Sequence, residues 1–355
     1  VQVQENVPLA PLTTIGIGGP ARFFFRAIDA DQIREGIDWA RERNVPLFLL
    51  GGGSNLLVSD RGFPGLVMHA DLRGITVESE NDDVLVKVGA GEPWDAFVAH
   101  AVGNGWAGIE CLSGIPGSTG ATPIQNVGAY GQDVSETIAR VEALDRTTGA
   151  LVWFSSEECR FGYRASLFKN VERDRYVVLS VTFRLRRGGE ATIKYPELQK
   201  FLGERGISRG DLQGVREAVI AIRKRKGMVL DPNDPDTKSD GSFFMNPVIT
   251  PGHYEEFARR APHAPHFPAG GDVKLSAAWL IEHAGFHKGF VHGNVGLSSK
   301  HSLALINRGG GTAAEVVALV TMIQSKVRET FGVEIHPEPN FIGFSATGDP
   351  HHDWL

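Results

Sequence analysis

The stretch from Cys111 to Val134, CLSGIPGSTGATPIQNVGAYGQDV, constrains this chain more than any other. It holds five glycines and two prolines, and its one acidic residue is Asp133, near the end. Glycine lets a backbone take positive φ and lets another molecule approach without meeting a Cβ. Ser113, Ser118, Thr119 and Thr122 add hydroxyl donors, and successive exposed N–H groups in such turns can form an anion-binding nest. The plain alternative is a long surface loop with ordinary turn chemistry. A second glycine-rich turn, Gly51-Gly52-Gly53-Ser54-Asn55, follows the apolar run Pro46 to Leu50. Either turn alone is weak evidence. Two within one α+β unit favour a dinucleotide held by its pyrophosphate, with no Walker lysine.

With 355 residues, two or three domains of roughly 100–200 residues each are expected. Hydrophobic residues at 42% and charged residues at 22% fit a soluble globular protein with a sizeable core. A net charge of −6 gives no general field for nucleic acid or anionic lipid, so an anionic ligand must be held by local donors. Two cysteines, Cys111 and Cys159, make no disulfide framework. No His/Cys spacing points to zinc, so no metal is expected, and a reducing cytosol is the natural home. The opening VQVQENVPLAPLTT has no basic region before an apolar core and does not read as an export signal. No apolar run approaches the ~20 residues that span a bilayer. Ser345 to Leu355 reads as a loose polar end.

Along the chain, residues 12 to 25 read as a turn into a short apolar strand. Asp29 to Asn44 places Ile33, Ile37, Trp39 and Ala40 among charges, the pattern of an amphipathic helix. Pro46 to Leu50 is a buried strand feeding the first glycine turn, and Leu56-Leu57-Val58 and Gly65 to Met68 follow as strands. Val84 to Val88 alternates, and Pro93 to Gly103 reads as a helix with proline in its first turn. Ala139 to Asp145 and Leu151 to Phe154 form a hairpin about Thr147-Thr148-Gly149, and Tyr176 to Leu185 is a further strand. After Ala191, Pro196 to Gly203 and Leu212 to Lys226 read as helices, the second ending in Arg223-Lys224-Arg225-Lys226. Ala277 to His283 is a helix, His301 to Asn307 a strand, Ala313 to Phe331 a long amphipathic helix and Pro339 to Phe344 a last strand. No strand-GxGxxG-helix opens the chain, which excludes a doubly wound Rossmann unit.

The segments GGGSNLLV at Gly51, GIPGSTGATPIQNVGAYG at Gly114, FGYRASLFK at Phe161, GSFFMNPV at Gly241 and HPEPNFIG at His336 together resemble the UDP-N-acetylenolpyruvoylglucosamine reductase (MurB) family. The likeness runs from about Pro11 to about Gly343. GGGSN by itself is shared with the wider FAD-binding fold that includes vanillyl-alcohol oxidase. The intact Arg160-Phe161-Gly162-Tyr163-Arg164 and the region around Tyr195 point to the longer, type I form. The resemblance implies an α+β fold. Two small α+β subdomains, 1–90 and 91–188, would bind FAD between them, and a third, 189–331, would bind substrate. Residues 332–355 would pack back on the first.

The implied activity is NADPH-dependent reduction of UDP-N-acetylglucosamine enolpyruvate to UDP-N-acetylmuramate through FAD, in peptidoglycan precursor synthesis. A cytoplasmic monomer is implied, with no nucleic-acid or membrane partner. Hydride passes from NADPH to FAD, then from flavin N5 to the enolpyruvyl ether, and a proton is added at the adjacent carbon. Charge then develops toward the carboxylate, so the site needs a cation there and an acid at the carbon.

By likeness, Arg164 grips that charge, where a permanently charged guanidinium can fork onto a carboxylate. An isolated arginine would otherwise read as a surface ion pair. Ser242 corresponds to the family's proton donor. From the residues alone, that role and a turn cap are about even. Glu338, between Pro337 and Pro339, corresponds to the third catalytic position, with Glu334 as competitor.

Tyr163, Tyr195, Lys226, Asn246 and Lys274 correspond to substrate positions, as does Arg223 less firmly, while a basic helix end alone would be dipole-complementing. Gly51, Gly52, Gly53, Ser54, Asn55, Ser113, Gly117, Ser118, Gly120 and Ala121 are expected along the FAD pyrophosphate. Asn126, Gly128 and Ala129 are expected toward the ribityl or isoalloxazine end. His283, His287, His292 and His301 show no ligand spacing and read as ordinary core or surface histidines. Rival readings are another FAD-linked oxidase of this fold and a non-catalytic nucleotide-sugar-binding flavoprotein. The first leaves Ser242 and Glu338 unexplained, and the second leaves the intact Arg164, Ser242 and Glu338 unexplained.

Overall fold

The computed structural model describes residues 2–80 and 83–345. Beyond Ser345, the expected loose polar end lies outside the described residues. The chain forms two compact units, each assembled from separate stretches. The first takes Val1–Val7, Ala21–Gly52 and Pro64–Val229, and the second takes Pro8–Pro20, Gly53–Phe63 and Leu230–Leu355.

In the first unit, Gln4–Pro8, Pro20–Ala27, Phe63–Ala70 and Leu47–Leu50 make a four-stranded sheet in that order. Helix α1 (Ala30–Glu42) starts at Asp29, whose carboxylate accepts the Gln32 N–H, and it buries Ile33, Ile37 and Ala40. A six-stranded sheet is built around Tyr176–Arg187, which pairs antiparallel with Ile138–Asp145 and with Asp83–Gly89. Seven consecutive residues of that strand, Val177–Phe183, are buried, as expected of a strand covered on both faces. The expected hairpin is present: Leu144 pairs with Leu151, and Asp145 accepts the N–H groups of Thr147 and Thr148 in the turn. Helices α2 (Trp94–Gly103), α3 (Thr122–Gln125), α4 (Pro196–Arg205) and α5 (Leu212–Arg225) complete the unit. Trp94, Phe97 and Phe183 form an aromatic cluster in its core.

The second unit contains α6 (Pro251–Arg260), α7 (Ala277–His283) and α8 (Ala313–Phe331). Thr312 and Glu315 form a capping box at the start of α8, and Gly332 ends it at φ +70°, as helix-end chemistry favours. Val316, Leu319, Ile323, Val327 and Phe331 line its buried face. The Asp60 carboxylate accepts the Ala313 and Ala314 N–H groups at 2.7 and 3.0 Å. Asn340–Ile342 pairs in parallel with Leu56–Val58. These contacts explain why residues 53–63 belong with the far end of the chain.

Three expectations need correction. The strand expected from His301 is only Leu305–Asn307. Ser298 Oγ instead accepts the Lys300 and His301 N–H groups, and the Ala304 N–H bonds to the His301 carbonyl, making a turn. Lys226 is the C-cap of α5, outside the helix. Helix α6 and the hairpin His266–Ala269/Asp272–Leu275 were not anticipated, although Thr250-Pro251 and Gly270-Gly271 carry cap and turn signals.

Candidate active site

The glycine turns meet within the first unit. A Cβ on Gly52 would stand 2.6 Å from Gly117 Cα, and one on Gly51 would stand 2.6 Å from Ser118 Oγ. At Gly52 a side chain would meet backbone, so Gly52 and Gly117 pack main chain to main chain, while Gly51 faces the Ser118 hydroxyl. Among the described residues, no turn or loop hydrogen bond uses the N–H of Gly51, Gly52, Gly53 or Gly117. Other donors of the long stretch are spent internally. Thr119 N–H goes to the Glu92 carbonyl, Gly120 N–H to Ala90 and Ala121 N–H to Ser118. Ser113 is fully buried and donates its hydroxyl to the Glu110 carbonyl over 2.6 Å.

Arg164 lies beside the far part of this stretch. Its Nη1 and Nη2 donate to the carbonyls of Asn126 at 3.3 Å and Gly128 at 3.0 Å. Asn126 is buried at φ +42° and donates Nδ2 to the Gly162 carbonyl over 2.8 Å. Ser166 Oγ donates to the Ile124 carbonyl over 2.8 Å. The Gly162–Ser166 segment is thereby clamped onto 124–128, bringing Arg164 together with Asn126 and Gly128. Ala129 begins the turn that Tyr130 and Gly131 complete at positive φ, and Tyr163 is exposed.

A second cluster forms where α4 and α5 approach. Tyr195, the N-cap of α4, makes an edge contact with Tyr130 at 5.4 Å. Lys226 Nζ donates to Glu197 Oε2 over 2.6 Å and stands 5.9 Å from the Tyr130 ring. Burial pushes the Tyr130 hydroxyl up to about 12. Arg223 is half-buried; desolvation of its guanidinium lowers its pKa, and its Nε has no partner. Beneath Gly114, the Asp95 carboxylate accepts the Gly114 N–H and both Nη groups of Arg216. Burial would raise the Asp95 pKa, but the Arg216 and Gly114 hydrogen bonds outweigh it and hold it below the usual range.

In the second unit, Gly241 at φ +73° turns the chain into Ser242. Phe243 and Phe244 after it are buried in the core. The Glu338 N–H donates to the Phe243 carbonyl, and the Met245 N–H to the His336 carbonyl. Ser242 and half-buried Glu338 therefore lie on neighbouring, hydrogen-bonded segments. Asn55 joins the same frame: its Nδ2 reaches the Glu338 carbonyl at 3.4 Å, and its carbonyl accepts the Asn340 N–H. Gly53 packs on Leu12, whose carbonyl a Cβ would overlap. Glu334, the competitor, is exposed and 3.7 Å from Arg328. Asn246 Oδ1 accepts the Ala277 N–H at the start of α7. Lys274 pairs with Val248 and Phe267 in the small sheet. His301, expected to be ordinary, puts Nε2 3.5 Å from Ser242 Oγ. No spacing in the sequence signals that approach.

A family model described as UDP-N-acetylenolpyruvoylglucosamine reductase, C-terminal domain, matches residues 232–342, and one described as FAD binding domain matches residues 21–155. The UDP-N-acetylenolpyruvoylglucosamine reductase of Thermobifida fusca is 47% identical over 352 residues, spanning 96% of this chain and 98% of its own. The chain belongs to the UDP-N-acetylenolpyruvoylglucosamine reductase family. Another member of this reductase family, from Salinispora arenicola, is 48% identical over 343 residues and 94% of both chains. The crystal structure of the reductase (MurB) from Thermus caldophilus superposes with a TM-score of 0.66 at 26% identity, over 96% of this chain and 98% of that one. The fold is thus the α+β, FAD-binding fold of the reductase family. The residues present fit FAD: the main-chain contact of Gly52 with Gly117 leaves no side chain over their N–H groups, which no backbone carbonyl among the described residues takes up and which a pyrophosphate could use.

Proposed function

We propose that this chain, with FAD bound, reduces UDP-N-acetylglucosamine enolpyruvate to UDP-N-acetylmuramate using NADPH. When bound, FAD would supply the redox chemistry, carrying two electrons as hydride between NADPH and the enol ether. The remaining work belongs to the protein. Gly51, Gly52, Gly53 and Gly117 offer N–H groups to the cofactor pyrophosphate. Arg164, fixed by the Asn126 and Gly128 carbonyls, meets the carboxylate toward which negative charge develops. Ser242 gives its hydroxyl proton to the carbon next to the one that accepts hydride. Glu338 supports that transfer electrostatically, and His301, 3.5 Å from the hydroxyl, offers a route for its reprotonation. Tyr195 and Lys226 receive the UDP portion, with Asn246 and Lys274 as further substrate positions. The protein works by this reading as a cytoplasmic monomer.

The observation that carries the proposal is the ladder joining Phe243–Met245 to His336–Glu338, which holds the proton donor and its carboxylate neighbour in one frame. An anaerobic titration tests it. NADPH should bleach the yellow protein, and the enolpyruvyl UDP-sugar should restore the colour with formation of the reduced sugar. Failure to bleach, or bleaching with no recovery, overturns the assignment.

A further inference from the structure

Asp240 stands two residues before Ser242, is 5% exposed, and is absent from the mechanism above. Three stretches of the second unit surround it: the segment bearing Thr14, the strand beginning at Leu56, and its own turn. Thr14 Oγ1 lies 2.7 Å from the Ser239 carbonyl oxygen and 3.2 Å from Asp240 Oδ1. A threonine hydroxyl has a single proton, and a carbonyl can only accept. The proton therefore goes to Ser239 along the shorter contact. What remains facing Asp240 Oδ1 is a lone pair, which attracts the carboxyl group only if that group supplies a proton.

The Leu56 N–H bonds to the carboxyl group and by itself favours the ionised form, but no charged side chain helps it and burial outweighs it. Asp240 Oδ2 is buried with no partner, a costly place for an ionised carboxylate. The charged residues of the same loop turn elsewhere. Asp236 accepts from Ser299, Asp234 pairs with Lys300, and Lys238 is exposed. Burial dominates and pushes the Asp240 pKa up to about 8.

We infer that Asp240 is carried as the neutral acid and acts as a positioning residue: its O–H donates to Thr14 Oγ1 and holds the turn presenting Ser242 against the Asn55–Leu56 strand entry. That strand entry also holds Glu338 through Asn55. The link to catalysis rests on the proposed function, whereas the protonation does not.

Thermal and denaturant unfolding from pH 5 to 8 of the full-length protein and of Asp240→Asn separates the two. An aspartate ionises near pH 3.9 when unfolded. The folded wild type therefore binds one more proton than the unfolded chain across this range, and it loses about tenfold in folding equilibrium constant per pH unit. Asp240→Asn should lack that component, so the two slopes should differ by about tenfold per unit. Equal slopes overturn the inference. Should the variant not fold, infrared spectroscopy of the unaltered protein reads the same point. A protonated-carboxyl band at pH 7 that disappears above about pH 9 is expected, and its absence overturns the inference. For positioning, the ratio of turnover at pH 9 to that at pH 7 should rise in Asp240→Asn. An unchanged ratio beside altered stability slopes overturns the positioning role. No turnover in the wild type would sink the proposed function and leave the protonation result standing.

Discussion

The Glu338 N–H donates to the Phe243 carbonyl over 2.8 Å, tying the residue after Ser242 to the other proposed acid-site residue. Removing the serine hydroxyl should leave this frame intact, because Phe243 and Phe244 anchor it in the core. Ser242→Ala should still bleach with NADPH, but re-oxidation by the enolpyruvyl sugar should slow by about 10²–10⁴-fold. Stopped-flow absorbance reads both halves. Re-oxidation near the wild-type rate would exclude Ser242 as the proton source.

Arg164→Lys keeps a charge but loses the planar fork that spans the Asn126 and Gly128 carbonyls. A loss of about 10²–10³-fold in kcat is expected, with flavin content unchanged. Steady-state kinetics on the flavin-loaded variant checks it. A rise in KM alone would show that Arg164 only binds.

Gly52→Ala places a methyl 2.6 Å from Gly117 Cα and 2.8 Å from its carbonyl carbon. Neither is the tip of a flexible side chain, so one backbone must shift. The purified variant should lose most of its flavin, read as visible absorbance per protein. Full flavin occupancy would show that this contact does not shape the cofactor cradle.

Asp95→Ala leaves the Gly114 N–H and the Arg216 guanidinium without their shared acceptor. The expected cost at pH 7 is about 1–3 kcal/mol, toward the lower end because the Asp95 side chain is 39% exposed. The folded Asp95 pKa is depressed. Its contribution is thus present above the unfolded value of about 3.9 and is lost as pH falls through the folded one. Denaturant unfolding should show the difference at pH 7 and see it shrink below about pH 4. A difference independent of pH would assign the effect to packing.

Long periodic elements were legible in the sequence. α1 and α8 lie where their apolar spacing puts them. The glycine turns were also legible, since Gly52 and Gly117 need backbone contact that any side chain blocks. Asp240, Thr14 and His301 were not, because their partners are far along the chain: Thr14 and Asp240 are separated by 226 residues. Ser113 was read as a free hydroxyl, yet it turns inward to Glu110, a local cap that composition does not distinguish from an open donor. The late start of the strand expected from His301 follows from Ser298 capturing two N–H groups.

The parallel pairing of Asn340–Ile342 with Leu56–Val58 has a consequence for biosynthesis. Leu56–Val58 must wait for a partner strand that lies far downstream of it in the chain and is made at roughly 5–20 residues per second. Meanwhile Leu56–Val58, wholly apolar, presents an open edge to other nascent chains. Truncation just before Asn340 should make that exposure permanent and yield inclusion bodies rather than a soluble, shortened protein.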